Sequence, residues 1–167
     1  MERATVNGVE LEYEVKGSGD PLLLIHGAHV ADLIAPLMSQ PALADRCQLI
    51  RYHRRGFAGS THTPPPVSIS YQAADAAALL AHVGIERAHI AGHSYGGSIA
   101  LQLAVERPDL VHSLALLEPA LLMVPAGESF FQQVGPSIEA HASGEKEKAV
   151  GAFLAVVSGV TGRVAAP

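Results

Sequence analysis

A single cysteine, Cys47, stands among 167 residues. That excludes an internal disulfide and any multi-cysteine zinc site. Placed in an apolar, strand-like run, it reads as a buried and inert thiol. Charge is sparse too: 16% of residues are charged against 49% hydrophobic, a globular balance rather than that of a disordered chain. The formal net charge of -5 argues against nucleic acid or an anionic membrane surface as partner, and the small cluster Arg51, Arg54 and Arg55 does not reverse it. Repeats and low-complexity blocks are missing. The opening MERATVNGVELEYEVKGSGD has neither the basic start nor the apolar stretch of a secretory signal. The longest apolar runs, around 114–124 and 149–157, are too short or too interrupted to span a bilayer. The expectation is a soluble, cytoplasmic protein.

What the chain does have is alternation of short β-rich runs with longer helical patterns. Residues 5–7 and 9–16 flank Gly8, and Val9, Leu11, Tyr13 and Val15 alternate with polar residues as in a half-exposed strand pair. PLLLIH at 21–26 is apolar on both faces, as a central parallel strand must be. Residues 47–52, 88–91 and 113–117 follow the same rule. Helical patterns lie between them at 31–44 (broken by Pro36 and Pro41), 71–83 and 95–106, the last stopping before Pro108. Thr63-Pro64-Pro65-Pro66 forces an extended loop. Strand and helix in this order imply an α/β fold, a mostly parallel sheet with helices on both faces. After residue 119 the rhythm changes to two helices, 128–142 and 145–157, with no strand between. Residues 1–119 are therefore expected to form the core and 120–167 a helical segment, either a lid or a cover for the open sheet edge.

Gly92-His93-Ser94-Tyr95-Gly96 carries the chemistry. G-x-S-x-G presents a serine on a tight strand-to-helix turn. Here residues 88–91 supply the strand and Tyr95 opens the helix. Gly92 and Gly96 lack the bulk that such a turn cannot accommodate. A developing oxyanion needs donors: the Tyr95 N–H, at the positive end of the helix dipole, is one. The Ala28 N–H, in the His26-Gly27-Ala28 loop after the PLLLI strand, is the second candidate. Both loops lie at the carboxyl ends of adjacent parallel strands, where open α/β sheets keep their sites.

LLLIHGAH, RYHRRGFAGS, AGHSYGGSIALQLAVERP and LALLEP together resemble the N-terminal part of an α/β-hydrolase-fold enzyme of the esterase, lactonase and cofactor-free peroxidase kind. The resemblance spans nearly all of residues 5–119. It implies Ser94 as nucleophile, Ala28 and Tyr95 as oxyanion-hole residues, and His26 as the residue that orders its loop. Gly27, Gly92, His93 and Gly96 shape the site. Two departures stand out. His53 occupies a position where the family commonly has aspartate. The family also continues through two further strands bearing an acid and then a histidine, whereas this chain ends at Pro167.

A serine hydroxyl is a poor nucleophile without a base, and the order on this fold is Ser, then Asp or Glu, then His. Only His112 and His141 follow Ser94. His112 is expected at the surface, at the far end of the sheet. Glu118, at the carboxyl end of its strand, paired with His141 is the one complete triad the chain could assemble. His93 is expected to point away from Ser94, and His26 and His29 to lie close enough to touch substrate. His53, His62, His82 and His89 read as loop, helix-face and strand residues. The reading is a serine hydrolase acting on small ester or related acyl substrates through a Ser94 acyl-enzyme, with no metal or organic cofactor. The chain is expected to be truncated. Alternatives are a catalytically dead binding module on the same fold, or cofactor-free peroxidase or lyase chemistry in a longer parent. The open edge of the last strand is expected to drive self-association unless residues 128–157 fold back over it.

Overall fold

Leu22, Leu23, Leu24 and Ile25 place side chains alternately on two faces of a sheet, and both faces are covered. The computed structural model describes residues 1–64, 66–121 and 124–158. Six strands form one mixed sheet: β1 (Glu2–Val6), β2 (Val9–Lys16), β3 (Asp20–Ile25), β4 (Cys47–Tyr52), β5 (Ala88–His93) and β6 (Val111–Leu117). Their order is β1-β2-β4-β3-β5-β6. The first two run antiparallel to their neighbours, whereas β4, β3, β5 and β6 are mutually parallel.

Leu23, Ile25, Ile50, Tyr52 and Ile90 form one core with Ala76, Leu79 and Leu80 of α2 (Ile69–His82) and Ile99, Ala100 and Leu103 of α3 (Tyr95–Glu106). Leu24, Leu49 and Ala91 face the other way, onto Ile34 and Met38. The period of two along each strand thus divides one apolar run between two cores. Cys47 packs against the second core but is only half-buried. At the first position of β4 it lies at the rim rather than inside, which corrects the buried reading.

The helical pattern over 31–44, broken by Pro36 and Pro41, consists of short turns leading to a 3₁₀ segment, Ala35–Ser39, and a single turn, α1 (Pro41–Ala44). Pro36 and Pro41 each open a new short piece, since a proline is tolerated only in a first turn. In contrast α2 is well delimited. The Ser68 hydroxyl accepts from the Tyr71 N–H at 3.1 Å, and Gly84 follows the C-cap at φ 74°. That is the left-handed position glycine suits.

The chain divides into two compact units between Ala120 and Leu121. The second holds α4 (Pro125–Ala142) and α5 (Lys146–Val157). They pack through Phe130 against Phe153, ring centroids 6.4 Å apart, and the Ser137 hydroxyl donates to the Ala149 carbonyl at 2.7 Å. His141 sits exposed in the last turn of α4. Pro65, residues 122–123 and residues 159–167 of the expected loop and C-terminal segment lie outside the described residues. No helix among the described residues is long and apolar enough to cross a membrane.

Candidate active site

β3 has β4 on one side and β5 on the other, so successive connections leave it in opposite directions. The carboxyl ends of β3 and β5 therefore form a topological switch point, where such sheets open a crevice. Ser94 follows β5 and adopts φ 52° and ψ -121°, a strained conformation for a residue with a side chain. It directly precedes Tyr95, the first residue of α3, whose N–H has no partner within the helix.

The close approach explains two glycines. A Cβ at Gly96 would fall on the carbonyl oxygens of Ile25 and His26, and one at Gly92 on the carbonyl of Gly96. The elbow thus presses directly onto the end of β3. Gly27 completes the contact: a Cβ there would stand 3.3 Å from the Ser94 Cβ and 3.0 Å from the His93 Nδ1. His93 consequently does not turn wholly away from the elbow, because its ring lies against the same glycine as Ser94. Its Nδ1 is buried with no hydrogen-bond partner among the described residues.

His26 is fully buried, which corrects the expectation that it could touch substrate. Its Nε2 accepts the Arg54 backbone N–H at 3.1 Å. The proton therefore sits on Nδ1, which donates to the Gly27 carbonyl at 2.8 Å. Burial and then the nearby Arg54 charge push its pKa down to about 3, so the ring is a neutral strut. His29 is exposed.

The 53–60 loop holds this arrangement from behind. Arg55 grips Asp75 of α2 through two bonds of 2.5 and 2.6 Å, and Asn7 adds a third to the same carboxylate at 2.8 Å. His53 stands where the resemblance leads one to expect aspartate. It is buried between two carboxylates, with Nδ1 3.0 Å from Glu12 and Nε2 3.1 Å from Asp32. The His53 bond, followed by the Gly59 N–H, lowers the Glu12 pKa. Asp32 is lowered by Arg51 first and His53 second. This bridge and the burial of Arg54, which is 2% exposed, escaped the sequence reading. Two arginines after a histidine at a strand end were the only signal available.

His112 lies within β6, exposed, its ring 4.6 Å from that of His89. Glu118 is exposed just after β6, with φ 47°. No group of three or more His, Cys, Asp or Glu suited to a metal ion occurs among the described residues.

A family profile described as alpha/beta hydrolase fold matches residues 20–155. A soluble epoxide hydrolase of Corynebacterium sp. (strain C12) is 32% identical over 133 residues, covering 77% of this chain and 44% of that protein. The chain thus spans less than half the length of that relative. Among solved structures, a thermophilic esterase from Thermogutta terrifontis superposes with TM-score 0.71 at 25% identity, over 84% of this chain and 53% of that one. The enol-lactonase from Burkholderia xenovorans LB400 gives TM-score 0.68 at 26% identity, over 85% and 58%.

Proposed function

The chain belongs to the α/β-hydrolase fold family, and from that premise we propose that it hydrolyses small carboxylic esters or related acyl substrates through Ser94. The observation that carries the reading is the Ser94 backbone at φ 52° between β5 and α3, with Gly27 immediately beside it. Strain of this kind persists where the surrounding structure holds it, and it clusters at functional sites.

In the proposed reaction the Ser94 oxygen adds to the substrate carbonyl carbon, and its proton passes to solvent water. The carbonyl oxygen becomes an anion facing the N–H groups of Ala28 and Tyr95, the second at the positive end of α3. Collapse expels the alcohol, which takes up a proton, and leaves an ester on Ser94. Water then repeats the addition and releases the acid. Removing a triad histidine leaves about 10³–10⁴ over water from the oxyanion hole and binding. Toward an ester with a good leaving group, acylation faster than deacylation is the expected behaviour.

The test is p-nitrophenyl acetate with the wild type, Ser94→Ala and His141→Ala. A burst of one p-nitrophenolate per chain, absent in Ser94→Ala, supports the reading. A burst and turnover identical in Ser94→Ala would overturn it. Turnover requiring His141 as well would assign the base to α4. The absence of any burst while the ester still binds would favour the second reading, a binding module that keeps the crevice without the chemistry.

A further inference from the structure

Arg54 is a cation buried to 2% exposure, and among the described residues no carboxylate pairs with it. Burial lowers its pKa, yet a guanidinium remains protonated in proteins. Its NH2 donates to the Gly27 carbonyl at 2.8 Å and its NH1 to the Gln72 side-chain carbonyl. Its Nε has no partner among the described residues. The guanidinium also lies over two rings, 4.5 Å from Phe57 and 5.2 Å from Tyr95. Both are within cation–π range.

The Gly27 carbonyl and the Ala28 N–H are the two ends of one peptide group. A trans peptide is planar, and its C=O and N–H point in opposite directions. Fixing the carbonyl therefore fixes the direction of the Ala28 N–H. Two donors hold that carbonyl: neutral His26 Nδ1 at 2.8 Å and the Arg54 cation. A charged donor on the oxygen also draws electron density through the amide and strengthens the opposite N–H as a donor. The same cation packs on Tyr95, whose N–H is the other candidate donor. An unneutralised charge here is costly, and it sits at the carbonyl end of the peptide, behind the N–H that would face the developing negative charge.

We propose that Arg54 is a positioning residue: it aims and polarises the Gly27–Ala28 peptide, whose N–H is one of the two oxyanion donors. The role rests on the proposed attack by Ser94. Arg54 itself, enclosed by Gly27, Gln72, Phe57 and Tyr95, meets no substrate.

Two measurements on the full chain separate the two proposals. The first is the stopped-flow rate constant of Ser94 acylation at saturating p-nitrophenyl acetate, with its apparent Kd, in Arg54→Met and Arg54→Lys. Losing an oxyanion donor outright costs about 10²–10³ in rate, so misaiming one is expected to cost Arg54→Met about ten- to thirtyfold. Its apparent Kd is expected to stay within about twofold, since the donors act on the anion rather than the bound ester. Arg54→Lys is expected to recover part of the loss. The second measurement is the amide proton shift of Ala28 by NMR, which needs no activity. It is expected to move upfield in Arg54→Met. If Arg54→Met does not fold, Gln72→Leu serves, because it frees NH1 without touching Gly27 and is expected to slow acylation by about threefold. A folded Arg54→Met, or Gln72→Leu in its place, that acylates at the wild-type rate overturns the proposal. So does an unmoved Ala28 amide. If the wild type shows no Ser94-dependent acylation, the hydrolase reading fails, and the Ala28 shift alone then decides whether Arg54 controls the peptide.

Discussion

Ser94 and Leu117 are joined by their backbones: the Ser94 N–H donates to the Leu117 carbonyl at 2.9 Å. The Ala120 N–H returns to the Ser94 carbonyl at 3.0 Å, and the Ser98 hydroxyl donates to the Ala120 carbonyl at 2.7 Å. The end of β6 is thereby bonded to the elbow. To turn between these bonds, Glu118 takes φ 47°, a left-handed conformation costing about 1–2 kcal/mol for a residue with a side chain. Glu118→Gly is expected to raise stability by about 0.5 kcal/mol, the strain relief exceeding the added freedom of the unfolded chain. Urea unfolding measures it. A clear loss would mean that the Glu118 side chain makes a contact worth more than the strain.

Gly96→Ala is expected to be the more damaging of two methyl additions. The new carbon would meet backbone carbonyls of β3 that cannot move without disturbing the central strand. A cost of about 3 kcal/mol or more is expected. Gly27→Ala meets side-chain atoms at 3.0 and 3.3 Å, which can yield slightly. It is expected to fold with a smaller loss and to slow Ser94 acylation. Thermal unfolding and the ester burst distinguish them, and equal stability losses would contradict the difference in what each methyl meets.

Acid is expected to weaken the fold through His26. Its pKa falls to about 3 in the folded chain, against about 6.5 unfolded. Below about 6.5 the unfolded state therefore binds a proton that the folded state refuses. Stability is complete above that value and declines as the pH falls toward 3, by up to about 1.4 kcal/mol per pH unit. Between pH 7.5 and 5 the loss from this group is about 2 kcal/mol. Glu12 and Asp32, both lowered, lose their contributions only at more acidic pH. Urea midpoints at pH 7.5 and 5 for the wild type and His26→Asn provide the comparison. An unchanged slope in His26→Asn would contradict the assignment.

The outer side of β6 pairs with no strand among the described residues, and Leu116 and Leu117 are 38% and 48% exposed. Such an edge invites a second chain. Sedimentation is expected to show mass rising with concentration, and Leu117→Lys is expected to shift the protein toward monomer. A wild type that stays monomeric across the range would remove the edge as a contact.

Much of this was legible because it is local. The doubly apolar β3 and β4 runs and the G-x-S-x-G spacing report backbone requirements within a few residues. The elbow's strained backbone follows from where its glycines stand. In the 31–44 segment the apolar pattern suits a helix, but Pro36 and Pro41 divide it into pieces too short to continue. The Arg54–Gly27 and His53–Asp32 contacts join distant parts of the chain. They obey no period, so only the folded sheet reveals that a basic run after β4 is buried behind the loop after β3.

The strand order has a consequence for synthesis on the ribosome. β3 pairs with β4 and with β5, but β5 emerges only after α1, β4 and α2 have been made. At about 5–20 residues per second, this central apolar strand waits on the order of several seconds with one side open. The nascent chain then offers an unpaired apolar strand to any neighbour on the same message. Yield should therefore respond to translation speed and chaperone supply before β5 is complete, independently of how stable the finished fold is.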